Sequence, residues 1–175
     1  VRFEGPGADL FAHPFAVIGG DPQHTGYKGE TVRLGGRDWQ VHFGHGHAPD
    51  HATFWSDGLI LAGDQIIPGI SSNIGVYPAE PEANPLADWL EACARLRDLA
   101  SDQLVLPGHK MPFHGAAFRL TQLIENHEGA LRRILASLAE GPKTAAALFT
   151  PVFKREIRAT QYGLALAESV AHMNY

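Results

Sequence analysis

The stretch Gly44-His45-Gly46-His47-Ala48-Pro49-Asp50-His51-Ala52-Thr53-Phe54-Trp55-Ser56-Asp57-Gly58-Leu59-Ile60-Leu61-Ala62-Gly63-Asp64 decides how this chain is read. Its first eight residues are polar and glycine-rich without a regular period, so they form a loop. Residues 52–55 and 59–62 flank the turn sequence Ser56-Asp57-Gly58, which predicts a hairpin. The second arm is nearly all apolar, the pattern of a strand buried on both faces, and it stops at Gly63-Asp64.

Working outward, Thr31-Val32-Arg33-Leu34 and Trp39-Gln40-Val41-His42-Phe43 alternate around a Gly35-Gly36-Arg37-Asp38 turn and predict an earlier hairpin. Residues 65–84 form a long loop rich in Pro, Ser and Asn, a length that usually serves function in a compact domain. A helix fits residues 85–99, with Pro85 near its start and Leu86, Trp89, Leu90, Cys93, Leu96 and Leu99 at helical spacing. Leu104-Val105-Leu106 is a short buried strand that stops at Pro107-Gly108-His109. After His114 a second helix carries Phe118, Leu120, Leu123, Ile124, Leu131, Ile134, Leu135 and Leu138 as its apolar face, and Gly141-Pro142 ends it. A short helix over 143–149 is then broken by Pro151, and a longer helix over 155–175 follows; this rhythm suggests a small module bearing a helix-turn-helix. Residues 1–30 carry Gly and Pro without a period and read as irregular.

Composition narrows the class. Of 175 residues, 45% are hydrophobic and 19% charged, the balance of a globular domain with a core. The net charge of −5 sets up no global basic field that would draw the chain to nucleic acid or an anionic membrane. One cysteine, Cys93, excludes an internal disulfide and fits a reducing, cytoplasmic setting. No apolar run approaches the roughly 20 residues of a membrane span, and no signal peptide is visible. Ten histidines are the unusual count.

Three of the polar residues sit where apolar strands meet loops: His47 before the second hairpin, Asp64 after Leu-Ile-Leu-Ala-Gly, and His109 after Leu-Val-Leu-Pro-Gly. Each follows a glycine, which lets the backbone bend where a side chain must turn into a site. Imidazole and carboxylate suit zinc, iron and manganese, and a bridging carboxylate suits a metal pair. Two ions roughly 3.5–4 Å apart would polarise a substrate oxygen and generate a hydroxide nucleophile at neutral pH.

The order Gly-His-Ala-Pro-Asp-His, Leu-Ala-Gly-Asp, Leu-Pro-Gly-His, over residues 31–114, resembles the last three metal motifs of the metallo-β-lactamase superfamily. The resemblance implies that His47 ligates one ion, Asp64 bridges both and His109 ligates the other. It also implies two divalent ions in the intact enzyme, zinc first, with iron or manganese as alternatives. The helical tail resembles the subgroup that ends in a winged-helix module, whose wing hairpin is missing after Tyr175. The expected fold is therefore α/β (α+β). It comprises an irregular segment 1–30, the second half of an αββα sandwich over 31–122, and a winged-helix-like helical module over 123–175.

The superfamily's main signature, His-x-His-x-Asp-His, is absent. Residues 45–51 imitate it, but the Asp-His pair is one residue too distant and the segment leads into a hairpin rather than a helix. The set is thus half of a site. The absent initiator Met, the unpatterned first residues and the missing wing favour a fragment of a longer enzyme over a natural remnant. The expected activity of the intact protein is hydrolysis of a small ester- or thioester-type substrate by a metal-bound hydroxide. An RNA-cleaving nuclease and a catalytically silent binding or homodimerising module are the alternatives.

Around the ligand set, His51 is read as a partner that orients a ligand or as a strand-start histidine, and His45 as a pocket residue or an exposed loop residue. Ser72, Asn73 and Tyr77, on the loop after Asp64, are candidate substrate contacts. His114 reads as structural, and His13, His24, His42, His127 and His172 as ordinary. Trp39, Trp55 and Trp89 are expected in the core and Cys93 as a buried, inert thiol. Lys154, Arg155 and Arg158, at the start of the last helix, are a thin footprint for RNA.

Overall fold

The computed structural model describes residues 2–5, 8–11 and 29–175, with side-chain surroundings from residue 29 onward. Its strands are β1 (Arg2–Gly5), β2 (Ala8–Phe11), β3 (Thr31–Leu34), β4 (Arg37–Gly44), β5 (His51–Ser56), β6 (Leu59–Gly63) and β7 (Leu104–Pro107). Its helices are α1 (Pro85–Leu99), α2 (Ala116–Leu138), α3 (Phe149–Phe153) and α4 (Tyr162–Asn174), with single 3-10 turns at Ala146–Leu148 and Ala159–Gln161. The α/β class and the alternation of hairpins, helix, strand and helix agree with the sequence reading.

Strands β3 to β7 form one five-stranded sheet in sequence order. The first three pairings are antiparallel, and β7 joins β6 in parallel. That parallel join needs a crossover, which α1 supplies. Alternation sorts the side chains onto two faces. Trp55, Ile60 and Val105 face α1 and α2, packing with Leu86, Trp89, Cys93, Leu96, Leu120 and Leu123 into the main core. Trp39, Val41 and Phe54 form a smaller cluster on the opposite face, flanked by Leu59 and Leu61. The three tryptophans are core residues, 7%, 4% and 0% exposed, and Cys93 is fully buried.

Several sequence expectations are corrected. Residues 2–5 and 8–11 pair as an antiparallel hairpin rather than forming irregular chain; residues 12–28 lie outside the described residues. The buried stripe of α2 is Ala116, Leu120, Leu123, His127, Ala130 and Ile134. Phe118 and Leu135, expected on it, are 70% and 68% exposed. Pro151 lies within α3 instead of breaking a helix, because a helix's first turn leaves its N–H groups unbonded and the missing donor costs nothing there. The last helix starts at Tyr162, not Arg155. Lys154 is left-handed at φ 56 and closes α3, and Arg158 is extended. Lys154, Arg155 and Arg158 therefore precede α4 rather than begin it.

Helix α2 runs unbroken through residues 122 and 123 and so belongs to both the sheet and the helical module. Among the described residues, no helix is long and apolar enough to cross a membrane.

Candidate metal centre

Strand directions bring the candidate ligands to one edge of the sheet. Gly44, the end of β4, pairs with His51, the start of β5. Strand β6 returns antiparallel to β5, and β7 runs parallel to β6, so both end on that same edge. The loops carrying His47, Asp64 and His109 therefore converge. The register shifts between Leu61 and Gly63, and Gly108 N–H donates to Gly63 O at 2.7 Å, locking the two strand ends side by side.

The glycine before each residue has its own cause. Gly46 has φ +90, and a Cβ there would overlap Pro85 and Trp89 at the start of α1. Gly63 has φ +51, and a Cβ would strike the His51 imidazole. Gly108 has an ordinary φ, but a Cβ would overlap the Asp64 carboxylate and the Gly63 backbone. The first two combine a backbone angle that L side chains avoid with a close approach; the third needs only the space.

The two carboxylate oxygens of Asp64 face different histidines. Oδ2 lies 3.7 Å from His47 Nε2, and Oδ1 lies 3.6 Å from His109 Nε2. Both gaps exceed a hydrogen bond. Two ligand atoms on one tetrahedral ion with bonds of about 2.0–2.2 Å stand roughly 3.3–3.6 Å apart; the His109 distance is at the top of that range and the His47 distance just beyond it. His47 Nδ1 is 2.9 Å from the Asn73 carbonyl, which can only accept. The proton is thereby fixed on Nδ1 and the Nε2 lone pair is left toward Asp64. Two imidazoles and a carboxylate form a donor set that divalent ions accept, and His47, Asp64 and His109 are the residues that would hold such a group. His47, Asp64 and His109 do not close around one point within 4.8 Å, as a single-ion cluster would.

His51 Nε2 accepts from Asp64 N–H at 3.1 Å. Burial, then the neighbouring His47, lowers its pKa, which keeps that lone pair available. His51, the first residue of β5, thus holds the backbone N–H of Asp64. His45 Nδ1 closes its own loop onto Pro49 O at 2.5 Å. Ser72 Oγ donates to Asp64 O. Asn73 Nδ2 donates to Glu168 Oε2 at 2.8 Å and to Leu164 O at 3.2 Å, and Tyr77 Oη meets Asn73 Oδ1 at 3.5 Å. The polar atoms of Ser72 and Asn73 therefore brace the loop that carries Asp64 and join it to α4. His114, read as structural, is 3.5 Å from Asp102.

Two histidines read as ordinary are not. His127 and His172 are 1% and 3% exposed and meet each other in the interior. His127 occupies an apolar-face position of α2, and Glu168 and His172 stand one turn apart on α4; that i, i+4 spacing was the available signal. His13 and His24 lie outside the described residues.

Residues 131–175 match the family model described as metallo-beta-lactamase-like, C-terminal domain. A beta-lactamase domain protein from Burkholderia ambifaria is 41% identical with a TM-score of 0.80, over 84% of this chain and 44% of that one. A metallo-beta-lactamase family protein from Thermus thermophilus is 35% identical with a TM-score of 0.72, over 85% of this chain and 46% of that one. The chain thus spans less than half the length of these relatives. No curated protein sequence matches it. This chain belongs to the metallo-β-lactamase superfamily.

Proposed function

We propose that His47, Asp64 and His109 are this chain's share of a two-metal hydrolase centre whose remaining ligands lie outside it. One observation carries the reading: Asp64 presents its two oxygens to two different imidazole nitrogens, at 3.7 Å and 3.6 Å. A carboxylate that merely paired with one histidine would have no use for the second. When bound, a pair of divalent ions, zinc by preference, supplies Lewis acidity and a water acid enough to act as nucleophile at neutral pH.

The chain's own residues do the positioning. Asn73 O holds His47 in the tautomer that exposes Nε2, while His51 and Ser72 pin the two sides of the Asp64 peptide. His109 is 66% exposed, against 21% for His47 and 26% for Asp64, so it is the most open of the three side chains. The substrate class proposed is a small ester or thioester, and its carbonyl oxygen would gain charge against the ions. A second reading, RNA cleavage by the same centre, draws on Lys154 and Arg155, which line a cavity together with Ser71 and Asn73 of the site loop. The winged-helix likeness of the module and a cytoplasmic setting belong to the same proposal.

The test is hydrolysis by the full-length native polypeptide. A panel of hydroxyacyl thioesters and aryl esters should be cleaved, and single-stranded RNA should not. Asp64→Asn and chelation should each lower kcat/KM by at least about 1,000-fold, with zinc restoring the chelated enzyme. Hydrolysis that survives Asp64→Asn would sink the reading. Cleavage of RNA alone, abolished by the same substitution, would replace the substrate class and keep the centre.

A further inference from the structure

We infer that His127, Glu168 and His172 form a second, separate metal site, which binds one divalent transition-metal ion where α2 crosses α4. Among the described residues, this is the group of His, Cys, Asp or Glu whose ligand atoms all lie within 4.8 Å of one another, and all three side chains are buried. His127 comes from the middle of α2; Glu168 and His172 are successive turns of α4. An ion there would join α2 to α4 at the His127–His172 contact.

The hydrogen-bond pattern prepares the nitrogens. His172 Nδ1 is 2.8 Å from the Glu168 carbonyl, which can only accept, so Nδ1 carries the proton and Nε2 a lone pair. That Nε2 lies 3.2 Å from His127 Nδ1, close to the roughly 3.3 Å between two imidazole nitrogens on a tetrahedral ion. Without an ion the contact is an N–H···N bond donated by His127. With an ion, both facing nitrogens become ligands and the proton of His127 moves to Nε2, on the far side of the ring.

The carboxylate completes the set. Glu168 Oε2 is oriented by Asn73 Nδ2 at 2.8 Å, the arrangement that supports metal-binding carboxylates. Burial pushes the Glu168 carboxyl up to about 7 and the His127 imidazole down to about 3. Both imidazoles are therefore neutral ligands at pH 7, and the carboxyl surrenders its proton readily to a cation. Two imidazoles and one carboxylate suit zinc, iron(II) or cobalt(II). A cavity of about 400 Å³ lined by these three residues, with Ile70, Lys154 and Arg155 among its other walls, provides an entry path and room for water on the open coordination positions. The site is also two links from the first centre. Glu168 holds the Asn73 side chain and the Asn73 carbonyl holds His47, so occupancy here would stiffen the support of that ligand.

Cobalt(II) alone is the probe, added to the full chain carrying His47→Ala, Asp64→Asn and His109→Ala. That background removes the other ligand set, so the two readings fail separately. One equivalent of cobalt should remain bound in equilibrium dialysis, with visible d–d absorption from a low-symmetry site. Adding Glu168→Gln or His172→Gln should weaken it by at least about 100-fold, more than the loss of an orienting neighbour costs. No bound cobalt in a background variant that melts like the parent would overturn the proposal, as would binding unchanged by Glu168→Gln. If the background variant does not fold, Glu168→Gln in the otherwise unaltered chain gives the same decision. Total bound cobalt must fall by one equivalent, and an unchanged total would leave only a hydrogen-bonded histidine pair.

Discussion

Gly108 has an ordinary backbone angle, yet the Asp64 carboxylate occupies the space its side chain would need. Gly108→Ala should therefore act on the candidate centre through sterics alone, displacing Asp64 from between the two histidines. Zinc titration should show the affinity of that ligand set falling about 10–100-fold. Gly58→Ala, at φ +73 but in open space, should cost only fold stability, about 1 kcal/mol, in urea unfolding. Equal metal affinities for the two variants would contradict the steric reading. The strand-end glycines were legible in the sequence because a glycine before a candidate ligand is a local pattern. The buried trio was not, because His127, Glu168 and His172 sit on different helices and meet only once those helices cross. Their pH behaviour gives a second test, in chelator. Glu168 titrates at about 7 in the folded chain against an ordinary 4.5. Its contribution is full below about 4.5 and lost as pH rises through 7. His127 runs oppositely, at about 3 against 6.5, so its contribution is present above 6.5 and lost as pH falls toward 3. Glu168→Gln removes only the first effect. Urea unfolding from pH 4.5 to 8 should show that variant gaining on the parent by up to about 3 kcal/mol with rising pH; parallel curves would refute the Glu168 assignment.

Among the elements, α2 acts as a clamp as well as a core helix. Arg119, in its first turns, donates from Nε to Ile67 O at 2.7 Å and from Nη2 to Ile70 O at 2.6 Å, holding the loop that follows Asp64. Arg133, farther along, holds Pro151 O at 2.6 Å and Val152 O at 3.2 Å, tying α3 to the same helix. A guanidinium fork can grip two carbonyls at once, and an ammonium cannot reproduce it. Arg119→Lys should loosen residues 65–73 without unfolding the core. Amide exchange in that loop should rise about tenfold, equivalent to about 1.4 kcal/mol, while α1 and β5 exchange as before. Uniform acceleration through the sheet would mean that Arg119 supports the whole fold instead. The bounds of α1 were legible because Pro85 and the leucine spacing mark them. The start of α4 was not, since Arg155 to Arg158 suit a helix by propensity, and the left-handed Lys154 and extended Arg158 that keep them out depend on tertiary packing.

At the scale of the molecule, α2 runs continuously from the sheet into the helical tail, and hydrogen bonds join that tail to the site loops. The family match begins at residue 131, inside α2, where the chain has no seam. Bonds cross from the site loops to the tail at several points. Val76 N–H donates to Ala167 O at 3.1 Å, Asn73 reaches Glu168, and Asn174 Nδ2 donates to both Pro81 O and Ala83 O at 2.9 Å. Ala171 of α4 is itself part of the main core. The boundary read near residue 123, where composition and rhythm change, falls inside the continuous α2, and whether the two sides unfold together is open to a direct test. The three tryptophans all lie before α2 and report on the sheet and α1, whereas far-UV ellipticity is dominated by the helices. If the unit is single, thermal melts followed by tryptophan fluorescence and by far-UV circular dichroism should superimpose. A helical transition preceding the fluorescence change would establish an independent tail, and the hydrogen bonds through Asn73 could then no longer couple α4 to His47. Superposition would instead mean that substitutions in the tail, Asn174→Ala among them, lower the midpoints of both signals together.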